Sequence, residues 1–165
     1  MDKSVILNQA DIQRKIRRIA FQIYESNANE SRVILAGIAQ NGYFLAEALA
    51  KVLTEISDLD VQLCKVIIDK KDVYKAIETS LKPEDYKNQS LVLIDDVLHT
   101  GTTLIYGVKH FLEVPLKQFK TVVLIDRNHK KYPIKADFKG LSLSTSYQNH
   151  VEVVLDSTKQ EVFLK

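Results

Sequence analysis

An acid pair and a hydroxyl-rich turn stand close together in residues 91–103. The acids, Asp95 and Asp96, directly follow the apolar run 91–94. After a short spacer comes a turn of hydroxyl residues and one glycine: Thr100, Gly101, Thr102 and Thr103. Backbone N–H groups at the start of a helix bind phosphate, because the helix dipole favours an anion there. Adjacent carboxylates accept hydrogen bonds from sugar hydroxyls or hold hydrated Mg²⁺, so this stretch predicts a sugar-phosphate site.

Each half of this stretch also has a plainer structural interpretation. A Thr-rich turn after a strand is often only a helix cap, and an acid pair at a strand end is often only solvated. Here both halves occur together, in this order and directly after an apolar run, and this combination favours ligand binding. We expect Gly101 to allow a close backbone approach or a positive φ.

Alternating strand-like and helix-like segments must position these residues. Four apolar runs predict buried strands: residues 32–38, 61–68, 91–94 and 120–125. Helical spacing of apolar residues predicts the helices: residues 8–26, 43–56 and 103–113. Buried strands separated by helices indicate an α/β fold with an open parallel sheet flanked by helices. Ligands of such sheets bind at the carboxyl ends of the strands, which is where the acid pair stands.

The remaining segments give weaker signals. The polar, Lys-rich stretch 69–90 is expected to contain a short helix around residues 73–79. Residues 132–147 are expected to be irregular, and short late strands are expected at residues 151–155 and 161–164.

Length and composition indicate one ordinary globular domain over residues 1–165. The net charge of +2 lacks the strongly basic imprint of most nucleic-acid-binding domains. A single cysteine, Cys64, excludes an internal disulfide and favours a reducing compartment. Neither a signal peptide nor a membrane-spanning apolar run is visible, so we predict a cytoplasmic protein. The four histidines lack zinc-ligand spacing.

The acid pair and the threonine turn resemble the phosphoribosyl-pyrophosphate (PRPP) motif of type I phosphoribosyltransferases. The resemblance implies that Asp95 and Asp96 bind the ribose hydroxyls and form the catalytic pair. It implies that the turn binds the 5-phosphate through Thr100, Gly101, Thr102 and Thr103. It also implies Mg²⁺ as the cofactor, brought by PRPP and contacted by the acid pair. The implied fold is a parallel sheet with a small C-terminal hood over about residues 127–165.

Two further segments resemble one branch of this family, the bifunctional pyrimidine-operon attenuator and uracil phosphoribosyltransferase. That branch has Asp-Arg-Gly-His and Pro-Ile-Arg-Ala-Asp-aromatic-x-Gly segments. Here residues 126–129 read Asp-Arg-Asn-His, and residues 133–140 read Pro-Ile-Lys-Ala-Asp-Phe-Lys-Gly. The resemblance covers about residues 5–155 and implies transfer of a phosphoribosyl group from PRPP to uracil, in a homodimer. The base would be bordered by Asp126, Arg127, Ala136, Asp137 and Phe138.

Two loops depart from the family pattern. The family's pyrophosphate loop normally carries a basic residue, whereas here it consists of Ala39, Gln40, Asn41 and Gly42. The family's Tyr-Arg-Asp-Asp element opens a long flexible loop, and residues 68–72 stand in its place, with Lys70 or Lys71 as the nearest substitute for the arginine. A missing lid exposes the reacting centre to water. The alternative is therefore a weak or inactive relative that binds UMP or PRPP as a regulatory ligand.

The first predicted helix carries a basic cluster: Arg14, Lys15, Arg17 and Arg18. A solvated helix face is the plainer interpretation of such a cluster. RNA contact is the other interpretation, because the resembling branch includes RNA-binding attenuators. The predicted partners are therefore PRPP and a nucleobase, with a second copy of the chain expected and RNA left open, and without a membrane.

Overall fold

The computed structural model describes residues 3–144, 146 and 148–165. The strands are β1 (Ser4–Leu7), β2 (Arg32–Ile38), β3 (Asp60–Ile67), β4 (Glu78–Thr79), β5 (Ser90–Leu98), β6 (Gln118–Asp126), β7 (Phe138–Ser142), β8 (Val151–Leu155) and β9 (Gln160–Leu164). The helices are α1 (Gln9–Ser26), α2 (Asn41–Ile56), α3 (Pro83–Tyr86) and α4 (Thr102–Phe111). None of these helices is long and apolar enough to cross a membrane.

The larger of two sheets has the strand order β4-β3-β2-β5-β6-β7. The strands from β3 to β7 in this order are parallel, and only the two-residue β4 pairs in the antiparallel sense. The sheet thus has its carboxyl ends along one edge, with β2 and β5 as neighbours at its centre. The predicted α/β class and the open parallel sheet are confirmed.

The sheet separates two hydrophobic cores, because successive strand residues face opposite sides. Val33 of β2 packs in one core with α1 and α2, and Ile34 packs in the other. In the second core Tyr86 of α3 and Phe111 of α4 meet edge to face, with ring centroids 5.0 Å apart. Helices therefore cover both faces of the sheet, as continuous apolar strands require.

Helix α1 forms where its sequence pattern predicts it. Asn8 and Asp11 form a capping box, in which each side chain accepts a hydrogen bond from the other residue's backbone N–H. Its inner face buries residues at helical spacing: Ile12, Ile16, Ile19, Ala20 and Ile23. Each buried isoleucine contributes roughly 1.5–3 kcal/mol by leaving water.

The second sheet has three antiparallel strands in the order β1-β9-β8. Its last two strands were predicted, but β1, from the opposite end of the chain, was not. Strand β7 lies within the predicted hood, yet it joins the larger sheet. The small sheet combines β1 with the last two strands of the chain. The division into one domain with a hood over residues 127–165 stays a prediction.

Two local predictions differ from the structure. Residues 73–79 form turns and the short β4 rather than a helix, because Asp69 and Asp72 accept hydrogen bonds from backbone N–H groups just after them. The segment 132–147, predicted to be irregular, contains β7. Thr145 and Tyr147 of that segment lie outside the described residues.

Candidate active site

The acid pair lies at the carboxyl edge of the larger sheet. Strand β5 continues to Leu98, so Asp95 and Asp96 belong to the strand rather than to the loop after it. The start of α2 lies directly beside them. A Cβ on Gly42 would stand 2.6 Å from the carbonyl oxygen of Ile94 and 3.1 Å from Cα of Asp95, so only glycine fits there.

Lys70 is the cationic neighbour of both acids. Its Nζ lies 3.2 Å from Oδ1 of Asp95 and 3.6 Å from Oδ1 of Asp96. The side chains of Asp95 and Asp96 are 3% and 14% exposed, whereas that of Lys70 is 47% exposed. The sequence proposed Lys70 or Lys71 as a substitute charge, and the structure brings Lys70 to the acids.

Burial and charge act together on these groups. Loss of hydration in the strand, followed by the neighbouring Asp96 carboxylate, raises the pKa of Asp95 to about 7, although Lys70 opposes the rise. Burial disfavours the charged form of Lys70, but the two carboxylates outweigh this and raise the pKa of Lys70. The lysine therefore carries a full positive charge against the pair at neutral pH.

The predicted pyrophosphate loop is tied to the acid pair through Asn41. Its Nδ2 donates to Oδ2 of Asp96 at 2.9 Å and to the carbonyl oxygen of Val153 at 3.1 Å. The N–H of Ala39 donates to the carbonyl oxygen of Val66, and the peptide bond between Ala39 and Gln40 is cis. Asn41 thus connects the loop, the acid pair and strand β8 of the small sheet.

The threonine turn opens α4 as predicted. Gly101 has φ of +87°, so the positive φ expected for this glycine is confirmed, and a Cβ there would stand 2.5 Å from Cγ2 of Ile134. The hydroxyls of Thr100 and Thr102 lie 2.9 Å apart, and the N–H of Thr102 donates to Oγ1 of Thr100 at 3.3 Å. Hydroxyls and N–H groups converge at the start of a ten-residue helix, the arrangement that binds phosphate elsewhere.

Asp126 and Arg127 lie at the end of β6, next to the acid strand. Asp126 is buried and accepts from the N–H of Asn128 at 3.0 Å, with Nζ of Lys139 at 3.4 Å. The backbone of Arg127 donates to the carbonyl oxygen of Leu98, and its guanidinium donates to the carbonyl oxygen of Asn149. Of these two predicted base-binding residues, Arg127 lines the cavity described below.

The structure does not bring Ala136, Asp137 or Phe138 to this cavity. Strand β7 runs parallel to β6 and pairs Phe138 with Val122, which itself pairs with Ile94, so Phe138 lies two strands away from the acid strand. The carboxylate of Asp137 accepts from the N–H of Thr121 at 2.9 Å. That these three residues border the base therefore stays a prediction, and in this structure Asp137 contacts Thr121 instead of the cavity.

A cavity of about 280 Å³ gathers the acid pair, Lys70, the threonine turn and Arg127. His150 and Val151, at the start of β8, also line it, as does His99 of the turn. His150 and Val151 were not assigned to the site from the sequence. They belong to no motif, and the sequence shows only that they lie at the start of a short late strand. A larger groove of about 650 Å³ between α1 and α2 contains none of the predicted site residues.

The described residues contain no cluster of three or more His, Cys, Asp or Glu side chains that could hold a metal ion alone. Mg²⁺ is usually bound by one or two carboxylates together with substrate phosphates and water. Asp95 and Asp96 both line the cavity and supply such a partial set. The residues therefore fit a magnesium ion that arrives with a phosphorylated ligand.

Comparison with known proteins gives the same fold. The sequence profile of the phosphoribosyl transferase domain matches residues 3–158. The hypoxanthine phosphoribosyltransferase of Trypanosoma cruzi superimposes with a TM-score of 0.81 at 15% identity, over 98% of this chain and 95% of that chain. A hypoxanthine-guanine phosphoribosyltransferase from Bacillus anthracis gives a TM-score of 0.72 at 16% identity, over 85% and 83%.

Relatives of higher sequence identity match nearly the whole chain. The bifunctional protein PyrR of Streptococcus thermophilus (strain CNRZ 1066) is 32% identical over 160 residues, which cover 94% of this chain and 91% of the relative. The bifunctional protein PyrR of Bacillus cereus (strain B4264) is 31% identical over 170 residues, covering 97% and 94%. This chain belongs to the phosphoribosyl transferase domain family, with PyrR proteins among its relatives, and the resemblance identified from the sequence is confirmed.

Proposed function

We propose that this phosphoribosyltransferase transfers the phosphoribosyl group of PRPP to uracil, giving UMP and pyrophosphate. The observation that carries the proposal is the single cavity onto which the acid pair and the threonine turn both open. The PyrR relatives and the branch-specific segments 126–129 and 133–140 support a pyrimidine acceptor.

The threonine turn and the acid pair would bind different parts of PRPP. The N–H groups at the start of α4 and the hydroxyls of Thr100 and Thr102 would hold the 5-phosphate. Asp95 and Asp96 would accept hydrogen bonds from the ribose hydroxyls and fix the orientation of the anomeric carbon. Charge-assisted bonds of this kind are about twice as strong as neutral ones.

The reaction is a displacement at that anomeric carbon. The N1 nitrogen of uracil forms a bond to the carbon while the carbon–oxygen bond to pyrophosphate breaks. Pyrophosphate leaves with the electron pair, and the proton of N1 passes to the pyrophosphate or to water. The loop of Ala39, Gln40, Asn41 and Gly42 would face the leaving group, with Asn41 already fixed by Asp96. With Lys70 on the acid pair, the diphosphate of PRPP would itself carry the Mg²⁺ that offsets the charge of the leaving group. Arg127, His150 and Val151 are the cavity residues available to the base.

The direct test mixes the protein with Mg²⁺, PRPP and a panel of bases, and follows pyrophosphate release. Release that depends on uracil supports the proposal, and release that depends on another base corrects the acceptor. The double variant Asp95→Asn, Asp96→Asn should be inactive, while Asp58→Asn, which removes an exposed acid, should match the wild type.

Silence across the panel would overturn catalysis. If UMP or PRPP still raised the melting temperature, the site would be a regulatory pocket, the alternative that the altered loops suggest. The turn at residues 69–72 and the absence of a basic residue at positions 39–42 are the features that favour this alternative.

A homodimer, RNA binding and a cytoplasmic location stay predictions. Within the basic cluster of α1, Arg18 donates to the carbonyl oxygens of Lys139 and Gly140 at 3.0 and 2.8 Å, and so holds β7. The guanidinium of Arg17 lies 5.3 Å from the ring centroid of Phe21. Salt-sensitive RNA affinity that changes with UMP would establish RNA as a partner, and no affinity at low salt would remove it.

A further inference from the structure

Lys70 occupies the position at which a Mg²⁺ ion brought by a phosphorylated ligand would contact the acid pair. Its ammonium contacts Asp95 at 3.2 Å and lies 3.6 Å from Asp96, on the cavity side of both. Two adjacent carboxylates that are 3% and 14% exposed repel each other strongly without a counter-charge. Lys70 supplies a counter-charge to both of them from within the chain.

The turn that carries Lys70 is fixed rather than a long open loop. Oδ1 of Asp69 accepts from the N–H groups of Lys71 and Asp72 at 2.9 and 3.2 Å, and Nζ of Lys75 reaches Oδ2 of Asp69 at 3.0 Å. Next to this turn, the ring of Tyr74 packs on Tyr106 of α4, with centroids 5.5 Å apart. Lys70 is therefore presented to the acids before any ligand binds.

A purely structural role explains this geometry less well. An ion pair whose lysine is 47% exposed contributes little to stability, because solvent screens it. Other donors already contact the pair: Asn41 on Oδ2 of Asp96, the N–H of Asp96 on Oδ1 of Asp95, and the N–H of Val97 on Oδ1 of Asp96. What Lys70 adds is charge, at the point where the cavity opens onto the acids.

We infer that Lys70 is a resident cation that takes the place of a divalent metal on Asp95 and Asp96, so that the site binds a nucleoside 5′-monophosphate without Mg²⁺. A monophosphate brings no diphosphate to carry a metal, and the acids alone would repel its phosphate dianion. The part that concerns nucleotide binding rests on the proposed function. The part that concerns the acids and the metal does not.

The first arm of the test uses Mg²⁺ alone, with an equal ionic strength of NaCl as the reference. Melting curves are recorded for the wild type, Lys70→Met, Lys70→Gln, Lys70→Arg and Lys71→Met. Either neutral variant at position 70 should gain a rise in melting temperature with Mg²⁺, because the uncovered acids then bind the ion. The wild type, Lys70→Arg and the matched control Lys71→Met should not respond. An equal response in the wild type, or none in either neutral variant, overturns the inference.

The second arm measures UMP affinity by calorimetry in EDTA and in Mg²⁺. The wild type, Lys70→Arg and Lys71→Met should bind UMP equally in both. Lys70→Met should bind about tenfold or more weakly in EDTA and recover in Mg²⁺, because like charges a few ångströms apart repel strongly in a partly buried site. Equal binding of UMP by Lys70→Met and the wild type in EDTA overturns the inference. Failure of the wild type to bind UMP, with the first arm as expected, overturns the proposed function and leaves the resident cation supported.

Discussion

Replacing Asp95 with asparagine should stabilise the folded chain while it destroys the site. The pKa of Asp95 is raised from 3.8 to about 7, first by burial and then by Asp96. Since this folded-state pKa lies above the unfolded one, ionisation favours the unfolded chain as pH rises from about 4 to 7. The difference between the two pKa values corresponds to a destabilisation of at most roughly 4 kcal/mol. This destabilisation is fully present above pH 7 and absent below about pH 4. Asparagine keeps the shape of the side chain and removes this cost.

The assay is urea unfolding of the wild type and Asp95→Asn at several pH values. At pH 8 the variant should gain up to about 4 kcal/mol in free energy of unfolding, and at pH 4.5 only about 1 kcal/mol. Asp58→Asn serves as the control, because it removes one exposed negative charge far from the cavity. UMP binding by Asp95→Asn should be lost. A gain that does not change with pH, or a variant less stable than the wild type at pH 8, would refute the reasoning.

Two further substitutions separate the site from its support. Gly101→Ala should lower the free energy of unfolding by about 1–3 kcal/mol and weaken UMP binding, because φ is +87° and the new Cβ meets Ile134. An unchanged urea midpoint and an unchanged UMP affinity would count against this prediction. Asp137→Ala should cost about 1–3 kcal/mol by releasing the N–H of Thr121, yet leave UMP affinity unchanged in calorimetry. Loss of affinity at full stability would instead support the predicted contact of Asp137 with the base.

The central site was predictable because its signals are local. Strand β5, the two acids and the threonine turn follow one another in the chain, and the positive φ of Gly101 needs no distant partner to be expected. For Lys70, the sequence only indicated that it or Lys71 could replace the missing arginine. The contact of Asn41 with Asp96 was missed. The contacts of Lys70 and Asn41 with the acids join residues 25 and 55 positions apart, and no local pattern encodes such distances.

Strands β1 and β7 were missed for a related reason. Each is short and depends on a partner, β1 on β9 at the far end of the chain and β7 on β6. In β7, Gly140 allows backbone contact with the carbonyl oxygen of Leu124, while its neighbours are polar or half-exposed. The contact of Asp137 with Thr121 was also not predicted, because the two residues are 16 positions apart and the motif around Asp137 does not show which strand its carboxylate meets.

The crystal structure of this protein with UMP tests the central claim most directly. The phosphate should accept hydrogen bonds from the backbone N–H groups and hydroxyls of residues 100–103, and the ribose hydroxyls should contact the carboxylates of Asp95 and Asp96. UMP bound in the groove between α1 and α2, or with its phosphate away from the threonine turn, would contradict the account.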